Sequence, residues 1–437
     1  MPTIEVESVA APHRWNLLGL TEDVLKQGPE YASTFLTQFA DLACQILAYK
    51  LAAYYLGKQG FSEYAVARRA ISTIYPVSLL GLSVALPRYI ALSAHDDQAG
   101  VRNRFFGASL WSVGFAVLLI ALLMNMMASK FSFLIYGRSS YSSLVFPITL
   151  FIAGLALHGL VYGYFRGHLQ MNRANLLQIV NSGVVPLIVL FWGPRNVGPV
   201  LEETGGIILL VAALGLLFTP WRQVASNCGS EAKVLLRYGL PRVPGDFALI
   251  GLLGLPTFLV AHEVGVQDAG YVAFGVSVLG MIAAVFAPVG LVLLPRASVF
   301  IARGANEALR SHISAILQLT LIVSAFLTIC AEISAGTALR VYLGSDFSGI
   351  ARIVRVAILG AVPYAVYTVL RSAVDAHHFK AINARNCIIA LTVLACCSGL
   401  LVLAHDKSVV LMTLPLPLSL LVLGILTLLE TRDILQG

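Results

Sequence analysis

The stretch "GLSVALPRYIAL" (Gly81–Leu92) closes an uncharged run on Leu-Pro-Arg, and "GLVLLPRASVF" (Gly290–Phe300) does so again at Leu294, Pro295 and Arg296. A third Leu-Pro-Arg at Leu240, Pro241 and Arg242 makes the tripeptide weak evidence by itself. Its surroundings are stronger. At an offset of 207 positions Tyr64 in "GFSEYAV" meets Tyr271 in "QDAGYVA", at 208 Arg102 meets Arg310, and at 211 "NRAN" (Asn172–Asn175) meets "NARN" (Asn383–Asn386). A slowly drifting offset is what small loop insertions leave in a duplicated chain, so the two halves read as repeats of one unit. Each Leu-Pro-Arg then reads as a stop. Proline disfavours helix in the residue before it, and arginine holds the helix end at an anionic membrane surface.

Composition says what the unit is made of. The chain is 58% hydrophobic and 12% charged, against roughly 25% charged residues in a soluble domain. A helix needs about 20 mostly apolar residues to cross a hydrocarbon core about 30 Å thick. Using charges as punctuation, twelve such segments lie at 31–56, 63–87, 105–129, 143–165, 174–193, 202–220, 240–262, 270–295, 313–332, 351–371, 386–404 and 408–429. The expected fold is an all-α polytopic membrane protein of about 12 transmembrane helices in two six-helix bundles related by duplication. The bundles are placed at 31–220 and 240–429, with a cytoplasmic linker at 221–239 and cytoplasmic tails at 1–30 and 430–437. Six spans per half is an even number, so both halves point the same way across the membrane and their interface is the natural substrate path.

Charge supports this orientation. With both termini in the cytoplasm, eighteen of the 29 Lys and Arg fall on the cytoplasmic side, six on the other and five within spans, as the positive-inside rule requires. Glu5, Glu7, Glu22, Asp23 and Glu30 precede any long apolar run and argue against a cleaved signal peptide. The six cysteines lack metal-ligand spacing and read as small apolar packers.

"YYLGKQGFSEYAVARR" with "SLLGLSVALPRYIAL", and "YGYFRGHLQMNRAN" after the fourth span, resemble the polysaccharide-transporter branch of the multidrug/oligosaccharidyl-lipid/polysaccharide exporters, relatives of the O-antigen flippases. Of that branch's Gly-x-x-Gly-Phe-Gly-x-Tyr-Ala pattern, Gly57, Gly60, Phe61, Tyr64 and Ala65 match, while Ser62 replaces the last glycine. The resemblance implies a two-bundle, alternating-access carrier in the bacterial inner membrane. It would move a polyprenyl-diphosphate-linked oligosaccharide, an O-antigen or exopolysaccharide repeat unit, to the outer leaflet. Its partners would be that substrate, membrane lipids and a glycan polymerase or assembly proteins, with no nucleic acid and no cofactor beyond proton or sodium coupling.

A diphosphate-bearing cargo calls for a wet, cationic path. Lys50, Arg68, Arg69, Arg352 and Arg355 lie within spans 1, 2 and 10, where an ionised side chain facing lipid costs about 2.5–3.5 kcal/mol. They are the candidate substrate-binding residues, through paired guanidinium donors to phosphate. The competing reading is snorkelling to the headgroups, strongest for Arg352. Arg68 and Arg69 project about 100° apart, so at most one points straight into the path. Asp41, near mid-membrane in span 1, and Asp246, nearer the inner end of span 7, are candidates for ion coupling, or else static partners of a cavity arginine. His158 reads as a helix-to-helix hydrogen-bonding residue, and Pro76, Pro147, Pro186, Pro256, Pro288 and Pro363 as hinges or plain kinks.

Two other classes compete. A cation-coupled multidrug extruder of the same fold should line its cavity with acids, whereas the spans here hold more bases. A membrane glycan polymerase or ligase needs a substantial outer loop with acid–base groups, and the longest outer loops, near 130–142 and 333–350, carry no clustered carboxylates. No Gly-x-x-x-x-Gly-Lys-Ser/Thr phosphate loop is present. The chain is therefore not expected to be an enzyme.

Overall fold

The computed structural model describes residues 29–93, 99–221, 228–287, 306–347, 349–377 and 382–436, with 289 and 293 in addition. Nine helices among the described residues are long and apolar enough to cross a membrane, and two bent pairs raise the number to eleven. One pair conceals a further span. The helical stretch Pro29–Ser78 breaks at Gly57, with φ 66 and ψ −174, a combination essentially confined to glycine. Along one straight helix Tyr49 and Tyr64 would lie about 22 Å apart, yet their ring centroids are 6.3 Å apart. The chain doubles back at Gly57, so residues 29–56 and 58–78 are the first and second spans, and the total among the described residues is twelve.

The others follow in order: Ala99–Met126, Val145–Gly167, Met171–Trp192 and Val197–Leu216 complete the first bundle. Val243–Glu263, Val266–Ala284, Asn306–Leu343, Ile350–Ile358 with Ala361–His377, Ile382–Leu403, and Val409–Thr413 with Pro415–Gln436 form the second. An even count puts both ends on one face, called here the termini side. Lipid explains the helices, since no water satisfies backbone groups there and each span must bond internally.

Duplication is visible in the packing. The fourth span packs on the sixth, the tenth on the twelfth, and the fifth and eleventh on the first and seventh. Small residues permit each approach: a Cβ on Gly205 would lie 2.7 Å from the Phe151 backbone, one on Gly424 2.8 Å from Pro363, and one on Gly245 2.6 Å from Ala384.

The apolar core is divided unequally. On the far side a single cluster runs through both bundles, including Tyr49, Phe61, Ile148, Val200, Phe274, Phe347 and Leu420. Toward the termini side each bundle has its own, around Leu82, Phe106 and Phe165 in one and Leu309, Ile313 and Val369 in the other. Among the described residues, the cluster shared by both bundles crosses between them toward the far side, and in the second bundle it continues toward the termini side at Ala248, Tyr367 and Cys387.

Several expectations need correction. Leu86-Pro87-Arg88 does not end a helix: Pro87 lies inside Leu82–Leu92, and the 43° break precedes it at Leu79–Gly81, where Leu80 and Gly81 take φ of 53 and 74. Leu240–Arg242 forms a single 3-10 turn between helices, while Leu294–Arg296, Pro288 and residues 1–28 lie outside the described residues. The expected loop 130–142 contains the helix Ala128–Tyr136. The ninth span continues to Leu343 and the twelfth helix to Gln436. The tenth span is bent by 41° around Leu359 and Gly360, because Pro363 cannot donate to the Leu359 carbonyl and its ring crowds it.

Within the linker, Gly229–Gly239 is a helix bound to the first bundle. Arg104 pairs with Glu231 at 2.8 Å, Arg88 donates to the Tyr238 hydroxyl at 2.7 Å, and a Cβ on Gly81 would meet the Gly239 carbonyl at 2.5 Å.

Space around Gly57 is open, so Gly57→Ala tests backbone conformation alone. A loss of about 1–3 kcal/mol is expected, read as a lower melting temperature in detergent. An unchanged melting temperature would refute the reversal.

Candidate functional site

The seam between the bundles is built mainly by the second and eighth spans. Gly270 lets them touch, as a Cβ there would lie 2.3 Å from Ser62 Cα. One turn in each direction, aromatic rings fill the far side: Tyr49 on Phe274 at 5.3 Å, Phe61 on Phe274 at 5.6 Å, Phe61 on Phe347 at 5.1 Å and Phe274 on Tyr342 at 6.3 Å between centroids. Tyr49 and Phe61 belong to the first bundle and the others to the second, so the first three pairs close the far side across the seam, and Tyr342 stacks on Phe274 behind them.

Two of the predicted bases sit on this seam. Arg69 crosses it, donating from Nη2 to the Ala273 carbonyl at 3.3 Å and to Ser277 Oγ at 3.2 Å, and Ser277 also bonds the Tyr49 hydroxyl at 2.9 Å. Arg69 Nε is buried without an acceptor among the described residues. The Lys50 ammonium lies 5.8 Å from the Tyr342 ring centroid, within cation–π range, and the Tyr342 hydroxyl donates to the Ile46 carbonyl. Among the described residues neither Lys50 nor Arg69 has a carboxylate partner. Arg68 turns the other way, into the first bundle, with its guanidinium 5.2 Å from the Phe151 ring centroid.

Arg352 and Arg355 stand apart from the seam. Both are exposed on the tenth span, and Arg355 Nε lies 3.9 Å from Glu332 Oε2 of the ninth.

Asp41 anchors a polar network inside the first bundle. Its Oδ2 accepts from Gln45 and Gln178, each at 3.3 Å, while Oδ1 is buried without a partner among the described residues. Gln178 also donates to Ser182 at 3.0 Å, and its oxygen meets His158 Nε2 at 3.1 Å. His158 Nδ1 faces Asn181 Nδ2 at 3.1 Å. With these amide orientations the imidazole is neutral and carries its proton on Nε2. His158 thus joins the fourth span to the fifth. Asn181 and Ser182 lie in a π-helical segment, Ile179–Val184, which takes up the bond Pro186 cannot give the residue 182 carbonyl. Arg68 is within electrostatic reach of Asp41.

Asp246 occupies the first turn of the seventh span, within electrostatic reach of Arg371, Arg242 and Asp375. Asn383 donates to Asp375 at 2.7 Å and to the Arg371 carbonyl at 2.9 Å, and Cys387 to the Tyr367 hydroxyl at 3.3 Å. The two candidate acids therefore sit in separate networks, one per bundle. Gln178, Asn181, Arg371, Asp375 and Tyr342 went unrecognised in the sequence. Amides and tyrosines in apolar runs carry no charge signal, and Arg371 reads as a loop residue until the tenth span is seen to reach His377. The Asn383 match to Asn172 was the one available pointer to the second network.

Removing the imidazole with His158→Ala leaves the Gln178 oxygen and the Asn181 amide without their partner. Each such group costs about 1–3 kcal/mol, so a lower melting temperature is expected, with partial recovery in His158→Gln. Equal stability of the alanine variant would show that the network does not hold the fourth and fifth spans.

The sequence profile described as polysaccharide biosynthesis protein matches residues 30–301. No curated protein sequence matches the chain. Among solved structures, an inward-facing multidrug resistance MATE family transporter of the MOP superfamily superposes with a TM-score of 0.75 at 14% identity, covering 90% of this chain and 94% of its own. The lipid II flippase MurJ, in an inward closed conformation, gives 0.72 at 14% identity, with 92% and 87% covered. A MOP superfamily transporter from Pyrococcus furiosus gives 0.61 at 14% identity, with 94% and 97% covered. The chain belongs to the polysaccharide biosynthesis protein family, and its two fused bundles are the fold of the MATE and MurJ transporters.

Proposed function

We propose that this protein is a flippase that carries a polyprenyl-diphosphate-linked oligosaccharide from the cytoplasmic to the outer leaflet of a bacterial inner membrane by alternating access. The termini side is taken as cytoplasmic. One observation carries the reading: among the described residues the apolar core crosses between the bundles toward the far side, while toward the termini each bundle also has a cluster of its own. That is the division expected of a carrier closed outward and parted inward. Lys50 and Arg69 stand on the seam without carboxylate partners among the described residues, and their charge suits a phosphate better than a lipophilic cation.

A lipid-linked sugar presents a hydrated head and a diphosphate that hydrocarbon rejects, and a tail that hydrocarbon accepts. A cleft between parted bundles could take the head while the tail stays in lipid. Closing the termini side and opening the aromatic far side would then release the head outward. The Asp41 network is the coupling candidate, with proton or sodium as the ion, because its carboxylate has a free buried oxygen beside neutral donors.

The decisive experiment deletes the gene and follows lipid-linked oligosaccharide. Accumulation on the cytoplasmic leaflet, rescued by the wild-type chain, is expected; unchanged surface glycan without accumulation would eliminate the flippase. Lys50→Glu separates this reading from a multidrug extruder. It should abolish glycan export, and unchanged glycan export together with drug efflux that survives the charge reversal would favour the extruder.

Cross-linking tests the conformational part. With native cysteines replaced, Phe61→Cys and Phe347→Cys joined by a short thiol-reactive linker should stop transport, and a cleavable linker should restore it on reduction. Transport at full rate in the joined protein would mean the far side does not open there. In the same assay Asp41→Asn should remove any dependence on a proton or sodium gradient, and a retained dependence would move coupling elsewhere.

A further inference from the structure

A cavity of about 290 Å³ lies on the far side between the ninth and tenth spans, lined by Ile333, Gly336, Thr337, Arg340, Ala351 and Arg355 among others. Its direction follows from helical phase. Ile322, Phe326, Ile329 and Ile333 of the ninth span are 69%, 64%, 57% and 78% exposed, and their spacing of four, three and four makes them one stripe. An exposed apolar stripe on a membrane helix faces lipid. Arg340, seven residues past Ile333, continues that stripe, with Gly336 and Thr337 between them. Tyr342, which packs across the seam, is nine residues from Ile333 and so about 180° around the helix. The cavity therefore opens to the bilayer, with Phe347 of the seam among its lining residues.

Depth and charge narrow the occupant. Arg340 is three residues from the helix end at Leu343, and Arg355 five from the helix start at Ile350. At about 1.5 Å per residue both lie within about 8 Å of the far-side ends, near lipid headgroups. Glu332 approaches Arg355 from the deeper side at 3.9 Å, the limit of an ion pair, and has its other oxygen buried without a partner among the described residues. Arg355 Nη2 lies over Gly336, 3.7 Å from where a Cβ would stand, and Arg340 has no carboxylate partner among the described residues. Two arginines and one glutamate leave one net positive charge. That complements a single phosphodiester better than a diphosphate. A snorkelling arginine needs neither a cavity nor a counterpart on the facing helix, and here both are present.

We propose that this cleft binds the phosphodiester of an anionic phospholipid in the far-side leaflet, entering laterally from the bilayer. Arg340 and Arg355 donate to the phosphate oxygens, Thr337 supplies a hydroxyl, and Gly336 leaves the room. The site opens on the opposite side of the ninth span from the seam, although Phe347 touches both, and the proposal does not rest on the proposed substrate path.

The test uses the purified full chain and native mass spectrometry with phosphatidylglycerol. Wild type is expected to retain one more phosphatidylglycerol than Arg340→Gln/Arg355→Gln, with affinity reduced about tenfold or more in the double variant. Gly336→Leu fills the cavity without changing charge and should cause the same loss, which guards against a folding defect in the double variant; size-exclusion profiles verify that each variant is intact. Equal retention by wild type and both variants would overturn the proposal. So would displacement of the bound phosphatidylglycerol by polyprenyl diphosphate at equal concentration, which would assign the cleft to the cargo, or by inorganic phosphate, which would make it a soluble-anion site.

Discussion

The closeness of the second and eighth spans sets the rest of the seam. Because Gly270 has no side chain, Ser62 approaches its backbone, and Tyr49, Phe61, Phe274 and Phe347 come within packing range on the same side of the membrane. Ser62 stands where the family pattern has glycine. Its hydroxyl lies 3.1 Å from the Lys58 carbonyl on its own helix and 3.1 Å from the Gln267 carbonyl across the seam. A hydroxyl has one proton, so it serves one of these acceptors at a time. When the bundles part, it can turn fully to Lys58. The departure from the pattern therefore adds a cross-bundle contact whose loss leaves no donor unsatisfied.

The first span connects two chemistries through its phase. Asp41 and Lys50 are nine residues apart, about 180° around the helix. Lys50 consequently meets the seam while Asp41 meets the interior of its own bundle. A rotation or tilt of this span would act on both at once. The π-helical segment beside Asp41 interrupts the fifth span at the level of the network, and such segments recur at functional sites because they shift the phase of everything beyond them.

Much of the fold was legible because lipid imposes a simple rule on sequence: long uncharged runs cross and charges mark their ends. The hairpin was legible too, through Gly57 between two apolar runs. The breaks were less so. Proline composition flagged Pro76 and Pro363 without saying where the chain would bend: the tenth span bends three to four residues before Pro363, where the missing bond and ring clash act, whereas the second span breaks after Pro76, at Leu79–Gly81. Leu-Pro-Arg was a good marker of repetition and a poor guide to helix ends, since helical packing carried the chain past Pro87. Side-chain direction was the least legible property. Arg68 and Arg69 differ by one position, yet one enters a bundle and the other crosses between bundles. Arg355 reads like Lys50 in sequence, but the phase of the facing ninth span puts it beside the bilayer.

The strength of the closed far side can be set against what a cargo must supply. Three aromatic pairs span the seam, and at about 0.5–1.5 kcal/mol each they hold it by roughly 1.5–4.5 kcal/mol beyond simple burial. Reversing a two-state equilibrium from 99:1 to 1:99 takes about 5.5 kcal/mol of differential binding. A few charge-assisted hydrogen bonds, at about 1.5–3 kcal/mol each, reach that figure if they form only when the bundles rearrange. Under the proposed function, Arg69 is the residue that would supply them. Its present bonds to Ala273 and Ser277 belong to the closed seam, so opening the far side releases the guanidinium at the moment an anion would need it.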